Sequence, residues 1–107
     1  MRPTVHVDIL VPLADNDGRS FDPAHFAAFE AFLAGISGGF TDRGFVDGAW
    51  MSPMSGTLVR DRSRSYSITL DAASAVAQIQ QLDSYIRQFF RQEAAFLELI
   101  PTRATTF

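Results

Sequence analysis

The chain has 107 residues, too few to divide between two cores, so it reads as a single domain spanning 1–107. Its residues are 47% hydrophobic, with ten phenylalanines, which supplies a compact interior and argues against disorder. A formal charge of −3 provides no global field for nucleic acid or anionic lipid; with arginine as the only basic side chain and no cysteine, lysine Schiff bases, disulfides, thiolate chemistry and cysteine-bound zinc are excluded.

In chain order, TVHVDILV alternates: Val5, Val7, Ile9 and Val11 face one way, Thr4, His6, Asp8 and Leu10 the other. This pattern predicts a half-buried strand ended by Pro12, followed by the turn-rich loop LADNDGRS. FDPAHFAAFEAFLAGISGG predicts a helix. Asp22 caps it, Pro23 suits its first turn and Phe21 staples against Phe26. Phe26, Phe29, Leu33 and Ile36 form its buried stripe, and Gly38 and Gly39 stop it. Phe40 to Met51 reads as a strand bent near Gly44 or Gly48, SPMSG as a turn, and Thr57 to Leu70 as the returning strand of a hairpin. Asp71 is expected to cap a second helix carried by Ile79, Leu82, Ile86, Phe89 and Phe90, ending near Arg91. AAFLELI supplies a last strand closed by Pro101, leaving 101–107 as a flexible tail.

The order βαββαβ predicts an α+β fold: a four-stranded antiparallel sheet with two helices on one face. The competing arrangement is poorer in strands, with the middle region mostly loop. In the first case the other sheet face is open to water, a ligand or another subunit. His6 and Asp8 fall on that face with Ser65, Ser67 and Thr69, and a histidine beside a carboxylate is a candidate base or proton relay. A surface histidine on a half-exposed strand is the plain alternative. The last strand leaves two rows open, Ala95, Leu97 and Leu99 against Ala94, Phe96, Glu98 and Ile100. Glu98 near His6 and Asp8 makes a metal site conceivable, but no ligand spacing supports one, and neither metal nor cofactor is expected. His25, in the first turn of the first helix, is expected to face solvent.

Arg60, Arg62 and Arg64 share the strand parity of Tyr66, Ile68 and Leu70. Three cations cannot all lie beneath a helical layer without partners, so either the strand outruns the helices or a bulge reverses its parity. Pairing with Asp42, Asp47 and Asp61 accounts for them structurally; recognition of a small anionic ligand accounts for them functionally. Trp50, Phe45 and Tyr66 could stack bases, yet no ribonucleoprotein signature is present, the net charge opposes it, and nucleic acid is not expected as a partner. GISGG ends a helix and lacks a following lysine, DNDG lacks the later ligands of a calcium loop, and there is no Gly-x-Ser-x-Gly.

GGFTDRGFVDGAW, then GTLVRDRSRSYSITLD and FFRQEAAFLELI, resembles a group of small bacterial proteins of unknown function. The resemblance covers most of the chain and implies a ferredoxin-like, commonly dimeric unit with no established activity. It directs attention to Phe40, Gly44, Asp47, Gly48 and Trp50, to Arg60 or Arg62 with Ser63, and to Gln92 and Glu93, which could meet the hairpin arginines at the sheet edge.

Together these readings lead to a homodimeric, cytoplasmic accessory protein with no membrane partner. It would bind a small ligand or partner protein through the open sheet face and the arginine hairpin, using Arg60, Arg62, Arg64, Tyr66, Trp50 and Glu93. The alternative is a cofactor-free enzyme for a small anionic substrate, with His6 as proton acceptor, Asp8 as its companion and Arg62 or Arg64 holding an oxyanion.

Overall fold

A computed structural model describes residues 2–104. Its elements follow the order β1 (Arg2–Pro12), α1 (Pro23–Ser37), β2 (Thr41–Met51), β3 (Leu58–Asp71), α2 (Ala75–Phe89) and β4 (Phe96–Ala104). The strands form one antiparallel sheet in the order β2-β3-β1-β4. Both helices pack on a single face, so the fold is the ferredoxin-like βαββαβ arrangement. Neither helix is long and apolar enough to cross a membrane.

Period-two alternation decides which side chains meet the helices. Val7 lies opposite Ile68 and Ile9 opposite Tyr66, and all four are buried against Phe26, Phe29, Leu33, Leu82, Ile86 and Phe90. On β4 the same register places Leu97 with Ile9 on the helix side, while Phe96, Glu98 and Ile100 join Leu10, Asp8 and His6 on the open side. That register resolves the two rows left open by the sequence.

α1 forms as its ends dictate. Asp22 accepts the His25 backbone N–H at 2.9 Å, and Gly38 closes the helix at φ 84. Phe21 meets Phe26 edge-on. α2 differs from expectation: β3 runs on through Asp71, whose carboxylate pairs with Arg2 at 2.9 Å, and the cap position falls to Ser74. The helix ends at Phe89, and Arg91 turns the chain at φ 55.

Two further corrections concern the last strand and His25. β4 does not stop at Pro101; it continues to Ala104, with Pro101 opposite Val5. β4 is an edge strand, where a missing N–H can be accommodated without breaking a ladder, so 101–104 belong to the sheet and not to a tail. The remainder of the expected tail, 105–107, lies outside the described residues. His25 does not face solvent but stacks between Phe21 and Phe89, with ring centroids 4.5 and 3.8 Å away, and its Nε2 lies 2.9 Å from the Phe89 carbonyl. Its neighbours are the reason: the aromatic residues at the start of α1 and the end of α2 leave a flat slot that a planar ring fills.

At 14 residues β3 extends about 46 Å, against about 22 Å for a 15-residue helix. The excess projects as a two-stranded arm, Asp47–Met51 paired with Leu58–Arg62, beyond the reach of β1.

Candidate functional site

The covered side accounts for Arg64 and Tyr66. Arg64 lies opposite Val11 at the margin of the helix layer, donates to Asp42 at 2.6 Å, lies 3.3 Å from Glu30 and covers the rings of Phe26, Phe45 and Tyr66. Its Nε is buried and has no protein partner among the described residues. The hydrogen bond to Asp42 holds the guanidinium pKa above its ordinary value and the Asp42 carboxyl below its own. Tyr66 is fully buried and donates its hydroxyl to Glu30 at 2.8 Å. Burial, then this bond to a carboxylate, raises the phenol above its usual range.

Arg62 lies on the arm beyond the helices, over the Phe45 ring and 3.4 Å from Asp47. Two of the three aspartates expected to answer the arginine run therefore do so. The third, Asp61, instead accepts the Trp50 indole N–H at 3.1 Å across the arm. Arg60 lies opposite Ala49 and is exposed. Glu93 is in the turn before β4, next to the opposite edge strand from β2, and Gln92 donates to the Phe90 carbonyl. The sheet order thus separates Gln92 and Glu93 from the hairpin arginines.

His6 and Asp8 are together on the open face. His6 Nε2 is 2.9 Å from Asp8 Oδ1. An ionised carboxylate only accepts, so Nε2 is the nitrogen that carries a hydrogen toward Asp8. Asp8 lies between Ser67 on β3 and Glu98 on β4. His6, Asp8 and Glu98 share a recess of about 350 Å³ with Leu10, Ser65, Phe96 and Arg43.

Arg43 is the residue that strand parity does not predict. Between Asp42 and Gly44 the β2–β3 register slips by one residue, and Gly44 takes φ 80. This bulge inserts Arg43 between Asp42 on the covered side and Gly44 on the open side. Its Nε donates to Ser67 Oγ at 3.1 Å, on the open face. The bend anticipated near Gly44 was the available signal; the direction of the adjacent arginine was not. Among the described residues, the arginine in the recess with His6 and Asp8 is Arg43, not a member of the Arg60–Arg62–Arg64 run. No cluster of three metal-ligating side chains is found among those residues.

Comparison of the sequence with protein-family profiles and with curated proteins finds no match. Solved structures do match in fold. A Bacillus cereus protein related to NIF3 aligns at TM-score 0.68 with 12% identity over 96% of this chain, which spans 26% of that protein. A phage SAM lyase in complex with S-methyl-5'-thioadenosine aligns at 0.62 with 19% identity, covering 94% of this chain and 90% of the lyase. The divalent cation tolerance protein of Thermus thermophilus aligns at 0.67 with 8% identity, covering 96% and 87% respectively. Across such distant sequences the likeness is one of architecture: the chain shares a small ferredoxin-like fold with several bacterial and phage proteins.

Proposed function

We propose that the chain is a small homodimeric accessory protein whose open sheet face and projecting arm bind a small ligand or a partner protein. The observation that carries this reading is the recess on the uncovered face, where three strands and a bulge gather His6, Asp8, Glu98 and Arg43 beside Leu10 and Phe96. Self-association is supported by apolar surface that one copy leaves uncovered. On the arm and its base Phe45, Trp50, Met51, Met54 and Leu58 are 49 to 94% exposed. Those side chains offer on the order of 600 Å², below the roughly 800 Å² per partner of a standard interface. They do not all face one way: Phe45, Met51 and Leu58 follow the covered-side parity of Arg62 and Arg64, whereas Trp50 follows the open-face parity shared by Phe96 and Ile100, so an open-face dimer draws on Trp50, Phe96 and Ile100 together with the Met54 tip.

Light scattering across micromolar to millimolar protein tests the dimer. Twice the chain mass is expected, reverting to a single mass in Phe96→Glu; a single mass at every concentration would overturn self-association. The His6–Asp8 hydrogen bond favours a second reading as a cofactor-free enzyme, with Nδ1 of His6 accepting a proton, Asp8 fixing the ring and Arg43 holding an oxyanion.

A further inference from the structure

The open-face recess contains charges of both signs that do not neutralise one another. Arg43 is held through Ser67 and Asp8 through His6. Among the described residues neither Asp8 nor Glu98 comes within ion-pair distance of Arg43, although all three line the same recess. Asp8 and Glu98 lie directly opposite each other on neighbouring strands, where like charges repel. A cation between them would relieve that repulsion, and an anion would satisfy the terminal guanidinium nitrogens of Arg43, which have no protein partner among the described residues. Leu10 and Phe96 complete the recess with apolar surface.

We infer that this recess takes a free α-amino acid with an apolar side chain. This rests on the reading of the open face as a ligand surface and names the ligand class. The carboxylate lies on the terminal guanidinium nitrogens of Arg43 with the Ser65 hydroxyl beside it. The ammonium lies toward Asp8 and Glu98, and the side chain covers Leu10 and Phe96. The spacing is compatible: β3, β1 and β4 succeed one another at about 4.8 Å, so anionic and cationic subsites one to two strands apart are bridged by a small zwitterion with help from the reach of Arg43 and Glu98. Charges already anchored by Ser67 and His6 need little reordering on binding.

The test is a titration of isotope-labelled protein with L-leucine, with N-acetyl-L-leucine, which lacks the ammonium, and with isopentylamine, which lacks the carboxylate. Leucine is expected to shift the His6, Ser65 and Glu98 signals saturably, with either single-charge analogue weaker by about tenfold. Arg43→Gln and Glu98→Gln, both at exposed positions, should each weaken leucine by a similar factor while leaving the rest of the amide spectrum in place. Equal binding of an analogue overturns the zwitterion assignment but leaves the open face as a ligand surface. No response to any of the three compounds removes the amino-acid site and counts against a small-ligand role for the face.

Discussion

Asp42 accepts the Gly44 backbone N–H with Oδ1 at 2.9 Å while its Oδ2 takes the Arg64 guanidinium at 2.6 Å. One carboxylate thus ties an arginine on the covered side of the sheet to the bulge that delivers another, Arg43, to the open side. Arg64 and the candidate site are on different faces, yet both hydrogen-bond paths meet at the Asp42 carboxylate. Structural pairing of Arg64 and support of the open-face recess are consequently one arrangement.

Gly44→Ala should unsettle the bulge. At φ 80 a side chain is strained even though no atom lies within 4 Å of an added Cβ. We expect a loss of about 1–2 kcal/mol, read as a lower urea midpoint with unchanged slope. The Arg43 Nε–H signal should move as its bond to Ser67 is disturbed. Unchanged stability together with an unmoved signal would show that the bulge does not depend on glycine.

Stability should decline toward both pH extremes for identifiable reasons. Arg64 depresses the folded-state pKa of Asp42, so below about pH 4 the unfolded chain takes up this proton first and the contribution is lost as pH falls through the folded value. Tyr66 is shifted the other way, by burial and then by Glu30. Above about pH 10 the unfolded chain loses the phenolic proton first, and stability falls as pH rises. Urea unfolding at stepped pH should show a shallower acid limb in Asp42→Asn and a shallower alkaline limb in Tyr66→Phe. Unaltered limbs would place the titrations elsewhere.

The core should behave as one unit centred on Phe29, which is fully buried and meets Tyr66, Tyr85 and Phe90 through its ring. Phe29→Ala should cost about 3–5 kcal/mol by transfer and cavity terms. Its chemical-denaturation midpoint would then fall sharply, whereas a loss below about 1 kcal/mol would mean that the aromatic cluster collapses into the space.

What the sequence discloses follows from how local each cause is. Val5, Val7, Ile9 and Val11 announce β1 because alternation is written in successive residues, and Asp22, Pro23 and Gly38 bound α1 for the same reason. The shared parity of Arg64 and Tyr66 was also legible, as was the need of a half-buried cation for partners. Glu30 as one of those partners was not, since it reaches Arg64 only after α1 docks on the sheet. Pro101 read as a stop because its effect depends on which edge its missing N–H faces, a tertiary property. Arg43 was hidden because a bulge changes side-chain direction at the one step where period-two counting fails. The open-face placement of His6 and Asp8 needed only alternation, but their company with Glu98 and Arg43 needed register across the whole sheet.

The arm allows the stability of a single copy to be separated from association. Among the described residues its strands, Asp47–Met51 and Leu58–Arg62, pair only with each other, and a lone two-stranded ribbon adds little to a fold held by a distant core. Trp50 is about half exposed and, among the described residues, its side chain makes one hydrogen bond, to Asp61; Met54 at the tip is 94% exposed. Trp50→Ala combined with Met54→Ser should therefore change unfolding free energy at micromolar concentration by less than about 1 kcal/mol. If the arm takes part in the proposed dimer, the same pair should weaken association by tenfold or more, because aromatic anchors carry a large share of interface energy. Sedimentation equilibrium of the double variant beside the parent chain measures this. A dimer constant unchanged in the variant would remove the arm from the interface and leave Phe96 and Ile100 on the open face as its remaining apolar contacts.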